Sequence, residues 1–224
     1  MVEKVRFKQQ RAADTYESII ASAAKLYAAR GYEQTQTHDI AKAAGVSPGA
    51  LYRYFDDKHV LLMEVLRRHL IEGRAAVDAQ LRPERFVGTG RREAIAVVLD
   101  VLIERVRANP GLARVYITLS LTDPEVAALR AAQEAEERAT LGHLIAALIP
   151  RGVVSHAEAA ALLLQMLGLE IACERAGVRP RSGGAISDAD MQRAACDVIE
   201  RYLFPETVDS APRPRARAAR ATKP

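Results

Sequence analysis

Cysteine is scarce: the 224 residues contain 2, Cys173 and Cys196, with neither the dense even-numbered framework of small secreted domains nor a C-x-x-C knuckle. Both read as small buried hydrophobes rather than metal or redox groups. Long apolar runs are missing as well. The longest stretch free of Asp, Glu, Lys and Arg, Ala139 to Pro150, has 12 residues, where a bilayer-crossing helix needs about 20, so no membrane partner is expected. The start, MVEKVRFKQQ, carries charge where a secretory signal has an apolar core, and a cytoplasmic protein is the expectation. Strand signals are nearly absent, with no sustained period-2 alternation and no Asn-Gly or Asp-Gly hairpin. Catalytic patterns are missing too: no supported Ser/His/Asp or Cys/His arrangement, no H-E-x-x-H and no G-x-x-x-x-G-K-[ST]. The histidines at 38, 59, 69, 143 and 156 show no metal-ligand spacing. No enzyme, metal or cofactor is expected.

What remains is helical punctuation. With 49% hydrophobic and 27% charged residues the chain reads as globular, and its apolar residues recur at three- and four-residue spacing. The pattern predicts an all-α fold of nine helices: Lys8 to Arg30 ending at Gly31, Thr37 to Ala44 ending at Gly45, Ser47 to Phe55, and Lys58 to Gln80 capped by Asp56 or Asp57. Then come Arg91 to Ala108, Leu112 to Leu121, Pro124 to Ile149 capped by Asp123, His156 to Ala176 opened by Ser155, and Ser187 or Asp188 to Phe204. The break from Arg82 to Gly90, with Pro83, Gly88 and Gly90, is the candidate hinge between a small N-terminal unit and a larger C-terminal one. Gln133 to Arg138 is mostly charged and reads as solvated. Ala159 to Leu169 is uncharged on all sides, so part of its cover is expected from a second subunit. The end of the chain, SAPRPRARAARATKP, has too few apolar groups to pack and reads as disordered.

The net charge of +4 does not by itself make a nucleic-acid binder. Residues 1 to 58 hold 9 basic against 7 acidic side chains, residues 59 to 204 hold 18 against 19, and residues 205 to 224 hold 5 against 2, so most of the excess lies in the tail. That tail is either a nonspecific attraction to DNA or an inert solvated end. A DNA reading must rest on a local motif, and Gly31 to Lys58, GYEQTQTHDIAKAAGVSPGALYRYFDDK, supplies one. Two helices of about two turns joined by a tight glycine turn project the second into a major groove. Ile40, Ala41, Ala44, Val46, Leu51 and Phe55 have the spacing to lock the two together, and Gly45 tolerates a positive φ. Pro48, Gly49 and Ala50 are small enough for close backbone approach, with free N–H groups for phosphate. Tyr52, Arg53 and Tyr54 then offer hydroxyls and a guanidinium, and Lys58 an ammonium at a helix start. The competing readings are core packing for the two tyrosines and plain solvation for Arg53.

Over Tyr16 to Leu66 the sequence resembles the tetracycline-repressor (TetR) family of bacterial transcription regulators. The likeness lies in Gly31-Tyr32, Ile40-Ala41, Ala44-Gly45-Val46-Ser47, Gly49, Leu51-Tyr52, Tyr54-Phe55, Lys58 and Leu61. It implies a homodimer of nine-helix chains with a helix-turn-helix DNA-binding domain at 1–57, an effector-binding and dimerisation domain at 58–204, and a basic tail at 205–224. It further implies a repressor released from a palindromic double-stranded DNA operator by a small-molecule effector. By positional match Thr37, His38, Ser47, Pro48, Gly49, Ala50, Tyr52, Arg53, Tyr54 and Lys58 are the DNA-facing residues. The family usually places a threonine and then an apolar residue where Gln36 and Thr37 stand here, so Thr35 and Thr37 are alternative caps for the second helix.

On the effector side the candidates are Tyr116, Thr118, His143, Gln165, Met166, Glu170 and Cys173. Glu170 faces a partner charge, binds a cationic effector or reaches the surface. His143 is either a hydrogen-bonded core histidine or a ligand group.

Overall fold

The computed structural model describes residues 2–150, 153–154, 156–179 and 186–205. Ser155, Gly152, most of the Gly/Pro-rich loop before the last helix and nearly all of the basic tail lie outside them. Nine α-helices and no strand are found among the described residues: α1 (Val2–Arg30), α2 (Thr37–Ala44), α3 (Pro48–Leu51), α4 (Lys58–Gln80), α5 (Arg91–Ala108), α6 (Pro110–Leu119), α7 (Pro124–Leu148), α8 (Ala157–Arg175) and α9 (Asp188–Leu203). No described helix is long and apolar enough to cross a membrane.

Most boundaries follow from side-chain caps. Asp57 accepts from the Val60 amide, Asn109 from Leu112, Asp123 from Glu125 and Val126, and Ser187 from Asp190. The Asn109 cap starts α6 two residues earlier than the sequence predicts, with Pro110 at a first-turn position. Three further expectations are corrected. The third helix is one α-turn, and the chain from Tyr52 to Phe55 continues as a tight hydrogen-bonded turn rather than a helix. The stretch from Arg82 to Gly90 is anchored at one point: Pro83–Phe86 forms a 3-10 turn whose Phe86 is buried with Val77, Leu81, Val101 and Leu144, while Arg82, Glu84, Arg85, Val87, Gly88 and Gly90 are exposed. The charged run of α7 is not wholly solvated, since its i, i+4 pair Gln133 and Glu137 turns inward while Glu136 stays out.

Two main cores result. One joins α1, α2, α3 and the first half of α4 to Leu112, Val115 and Tyr116 of α6 and Val126 of α7. The other is built from α5, α7, α8 and α9. Helix α6 therefore ties the N-terminal module to the body, and its approach is close. A Cβ at Gly111 would stand 2.2 Å from the Ala28 carbonyl oxygen, so only glycine lets the two backbones meet there.

Candidate nucleic-acid interface

The module from α1 to the start of α4 is locked from within. Ile40, Ala41, Leu51 and Phe55 are buried, and Tyr16 stacks on Phe55 at 5.2 Å and tilts against Tyr54 at 6.1 Å. Gly45 takes φ 70, and the Val46 amide reaches back to the Ala41 carbonyl at 3.0 Å. Ser18 of α1 donates to the Ala44 carbonyl at 3.2 Å, satisfying an otherwise free end of α2. Ser47 caps α3 by accepting from the Ala50 amide at 3.2 Å.

Neither threonine caps α2. Its N-cap is Gln36, without a side-chain bond. Thr35 is fully buried and donates to the Gly31 carbonyl at 2.8 Å, closing the turn after α1. Thr37 instead meets Tyr52 hydroxyl to hydroxyl at 2.9 Å, which joins the beginning of α2 to the turn after α3.

His38, Ser47, Pro48, Gly49, Tyr52 and Arg53 are exposed, with Tyr52 at 48%. Thr37 and Ala50 are half-buried. His38 leans on Asp39 at 3.1 Å. Two residues are turned toward the protein more than their sequence reading implies. Tyr54 is half-buried against Tyr16, part of the module's packing. The Lys58 ammonium donates to the Tyr32 carbonyl at 2.9 Å and lies 4.0 Å from the centre of the Tyr32 ring, a cation–π contact. Tyr32 in turn tilts against Tyr27, whose hydroxyl donates to the Lys58 carbonyl at 3.4 Å.

The effector candidates scatter. Tyr116 and Gln165 border cavities among α4, α5, α6, α7 and α8. Thr118, His143, Met166 and Glu170 are on the surface, with Glu170 in an ion pair to Arg179 at 2.6 Å. Cys173 is buried in the body core, and burial pushes its thiol upward. Sequence reasoning missed the polar residues that do line the interior. Arg105 and Glu137 form an ion pair with side chains only 16% and 11% exposed. Around them, Tyr116 donates to Gln133 at 2.8 Å, Gln133 to Glu137 at 2.5 Å, and Gln165 to Glu137 at 3.2 Å. Burial lowers the affinity of Arg105 and His69 for their protons and raises that of Tyr116.

An all-helical chain with an N-terminal helix-turn-helix whose second element presents exposed polar side chains falls in the class of helix-turn-helix DNA-binding regulators. Residues 19–65 match the model of the bacterial regulatory proteins of the tetR family, so the N-terminal module is of that family's kind. Nucleoid occlusion factor SlmA of Haemophilus ducreyi is 34% identical over 86 residues, 38% of this chain and 41% of that protein. The HTH-type transcriptional repressor KstR2 of Rhodococcus jostii is 48% identical over 48 residues, 21% of this chain and 24% of that one. The chain thus spans about two fifths of the length of the SlmA relative and less of the other. Solved structures extend the likeness in fold. A transcriptional regulator from Rhodococcus sp. superposes with a TM-score of 0.67 at 21% identity, covering 84% of this chain and 95% of that one. A regulator from Saccharomonospora viridis in complex with choline superposes at 0.65 and 21% identity, covering 84% and 96%.

Proposed function

We propose that two copies of this chain hold a pseudo-palindromic operator and repress transcription until a small molecule occupies the body and releases the DNA. The observation that carries the reading is the exposed face of α3 and its following turn, with Gly49, Tyr52 and Arg53 outward while Leu51 and Phe55 anchor the module beneath. DNA-facing roles for Thr37, His38, Ser47, Pro48, Gly49, Ala50, Tyr52, Arg53, Tyr54 and Lys58 belong to this proposal. For Tyr54 and Lys58 that role is added to their packing against Tyr16 and Tyr32. Support for a small-molecule effector comes from the choline held by the Saccharomonospora neighbour and from the polar-lined cavities among α4 to α8. Tyr116 and Gln165 belong to that site. The proposal does not draw on Thr118, His143, Met166 and Glu170, which are exposed, or on Cys173, which lies in the body core. The relatives' printed roles differ, nucleoid occlusion in one and repression in the other. Repression is proposed because the body offers an interior site through which a ligand shifts the population between DNA-bound and free shapes.

A gel-shift of the full chain on DNA from upstream of its own gene tests the proposal. Retardation that weakens steeply with added salt is the expected result; no retardation of any genomic fragment would end the reading. Arg53→Ala relaxing sequence preference, with Tyr52→Phe and Lys58→Ala weakening all sequences alike, would separate base reading from phosphate anchoring.

A further inference from the structure

Three hollows of the body meet at one side chain. Arg105 of α5 borders a cavity of about 60 Å³ with Tyr116, Gln133 and Leu169, a smaller one of about 20 Å³ with Leu102, Leu141 and Gln165, and the open groove between α4 and α7. The small cavity shares Leu102 and Leu141 with a further one of about 80 Å³ whose walls, Arg91 apart, are apolar side chains of α5, α7, α8 and α9 and the adjoining Ile149 and Phe204. Leu102 stands between polar and apolar ends. A Cβ at Gly168 of α8 would come within 2.7 Å of Leu102 Cδ1. The glycine is what lets that leucine lie there, and a leucine tip can swing to another rotamer.

The polar end has donors to spare and no net charge. A guanidinium carries five N–H donors, yet Glu137 is the one acceptor Arg105 reaches among the described residues. Glu137 is supplied three times over, by Arg105, Gln133 and Gln165. Arg130 is matched by Glu134 at 2.6 Å, and burial favours neutral His69. Inside the two cavities a charged ligand group would shed its water without finding a free counter-charge, since Arg67 lines only the open groove, and the cost is far greater than for an uncharged polar group. Taken together the cavities are comparable to an engineered one of roughly 150 Å³ that holds benzene, so the apolar body is limited to about six to eight carbons.

We propose, resting on the reading of this region as the effector site, that it takes an uncharged amphiphile. A carbonyl oxygen accepts from Arg105, and an aliphatic body runs past Leu102 into the apolar cavity. Isothermal titration of the full chain without DNA, using 2-octanone, octanoate and octyltrimethylammonium, tests it. The ketone is expected to bind and the two ions to bind at least tenfold more weakly. Because Arg105→Met alone would strand Glu137, the variant is Arg105→Met with Glu137→Met, its helical circular dichroism checked, and a tenfold or greater loss of ketone affinity is expected. Gly168→Ala keeps both charges and crowds Leu102, and a similar loss is expected. Either ion binding as well as the ketone, no binding by any of the three probes, or unchanged ketone affinity in the folded double variant or in Gly168→Ala overturns the proposal. Ketone bound without release of operator DNA supports this ligand class and sinks the effector-release reading instead.

Discussion

Asp123 Oδ2 stands 2.8 Å from His59 Nε2 and fastens the start of α7 to the start of α4, one residue from Lys58. The same carboxylate caps α7, its Oδ1 accepting from the amides of Glu125 at 2.9 Å and Val126 at 3.0 Å. The Val126 amide, with His59 adding to it, holds this carboxyl below its ordinary value of 3.8. A carboxyl whose folded-state value is depressed contributes stability above its unfolded value, and loses it as pH falls through the folded one. Asp123→Ala should therefore cost about 1–2 kcal/mol at neutral pH in urea unfolding, the usual range for a lost cap. The difference from the parent should shrink as pH falls from 3.8 through the lower value at which the folded parent's carboxyl protonates. A difference that holds steady down to pH 2 would argue against this link.

Gly49 separates folding from DNA contact. It lies on α3, and an added Cβ would meet nothing within 4 Å. Alanine there should leave stability unchanged or raise it by up to about 1 kcal/mol, since glycine is the poorer helix former. If the backbone of α3 approaches a groove, the methyl group stands in the way, and affinity for the operator should fall by tenfold or more while the melting temperature holds. Undiminished affinity in a gel-shift would remove Gly49 from the interface.

Gly111 tests the tie between reader and body. A Cβ there collides with the backbone of Ala28, which has no rotamer to escape into. Gly111→Ala should destabilise by about 1–3 kcal/mol, the range for overpacking a fitted interior, as read by chemical unfolding. Because α1 also carries Tyr16 and Ser18, which hold α2 and the turn after α3, operator affinity should fall as well. Retained stability would show that the α1 and α6 backbones part freely.

The helix-turn-helix was legible because its parts are local: Gly45 at a positive φ, Ser47 before Pro48, and apolar residues within twenty positions of one another. The polar network inside the body was not, for two physical reasons. In α8 the apolar residues surround the helix, so sequence offers no stripe to tell buried Gln165 from exposed Met166. In α7 and α5, charged residues read as solvent-facing, and only the packed arrangement reveals that Glu137 and Arg105 neutralise one another indoors. Lys58 was legible in part. Its place at a helix start was readable, but the Tyr32 ring that captures it lies 26 positions away.

The same ambiguity in α8 yields the last prediction. Leu162, Leu163 and Met166 on α8 and Val198 and Tyr202 on α9 are exposed in the single chain, with Leu163 and Met166 each at 57%. Val198 and Tyr202 stand i, i+4, and Leu163 and Met166 i, i+3, so each pair shares a helix face. Large apolar groups gathered this way mark a surface that a partner covers, and a second copy is the occupant proposed above. Light scattering should then give twice the 24.5 kDa chain mass. Leu163→Lys with Met166→Lys should give the single-chain mass, because burying two ammonium groups in a symmetric contact sets like charges together. The monomer keeps an intact α3 yet grips one half-site, so its operator affinity should drop while its melting temperature at a concentration where the parent is also monomeric does not. A double variant that still weighs twice the chain mass would move the contact off this stripe.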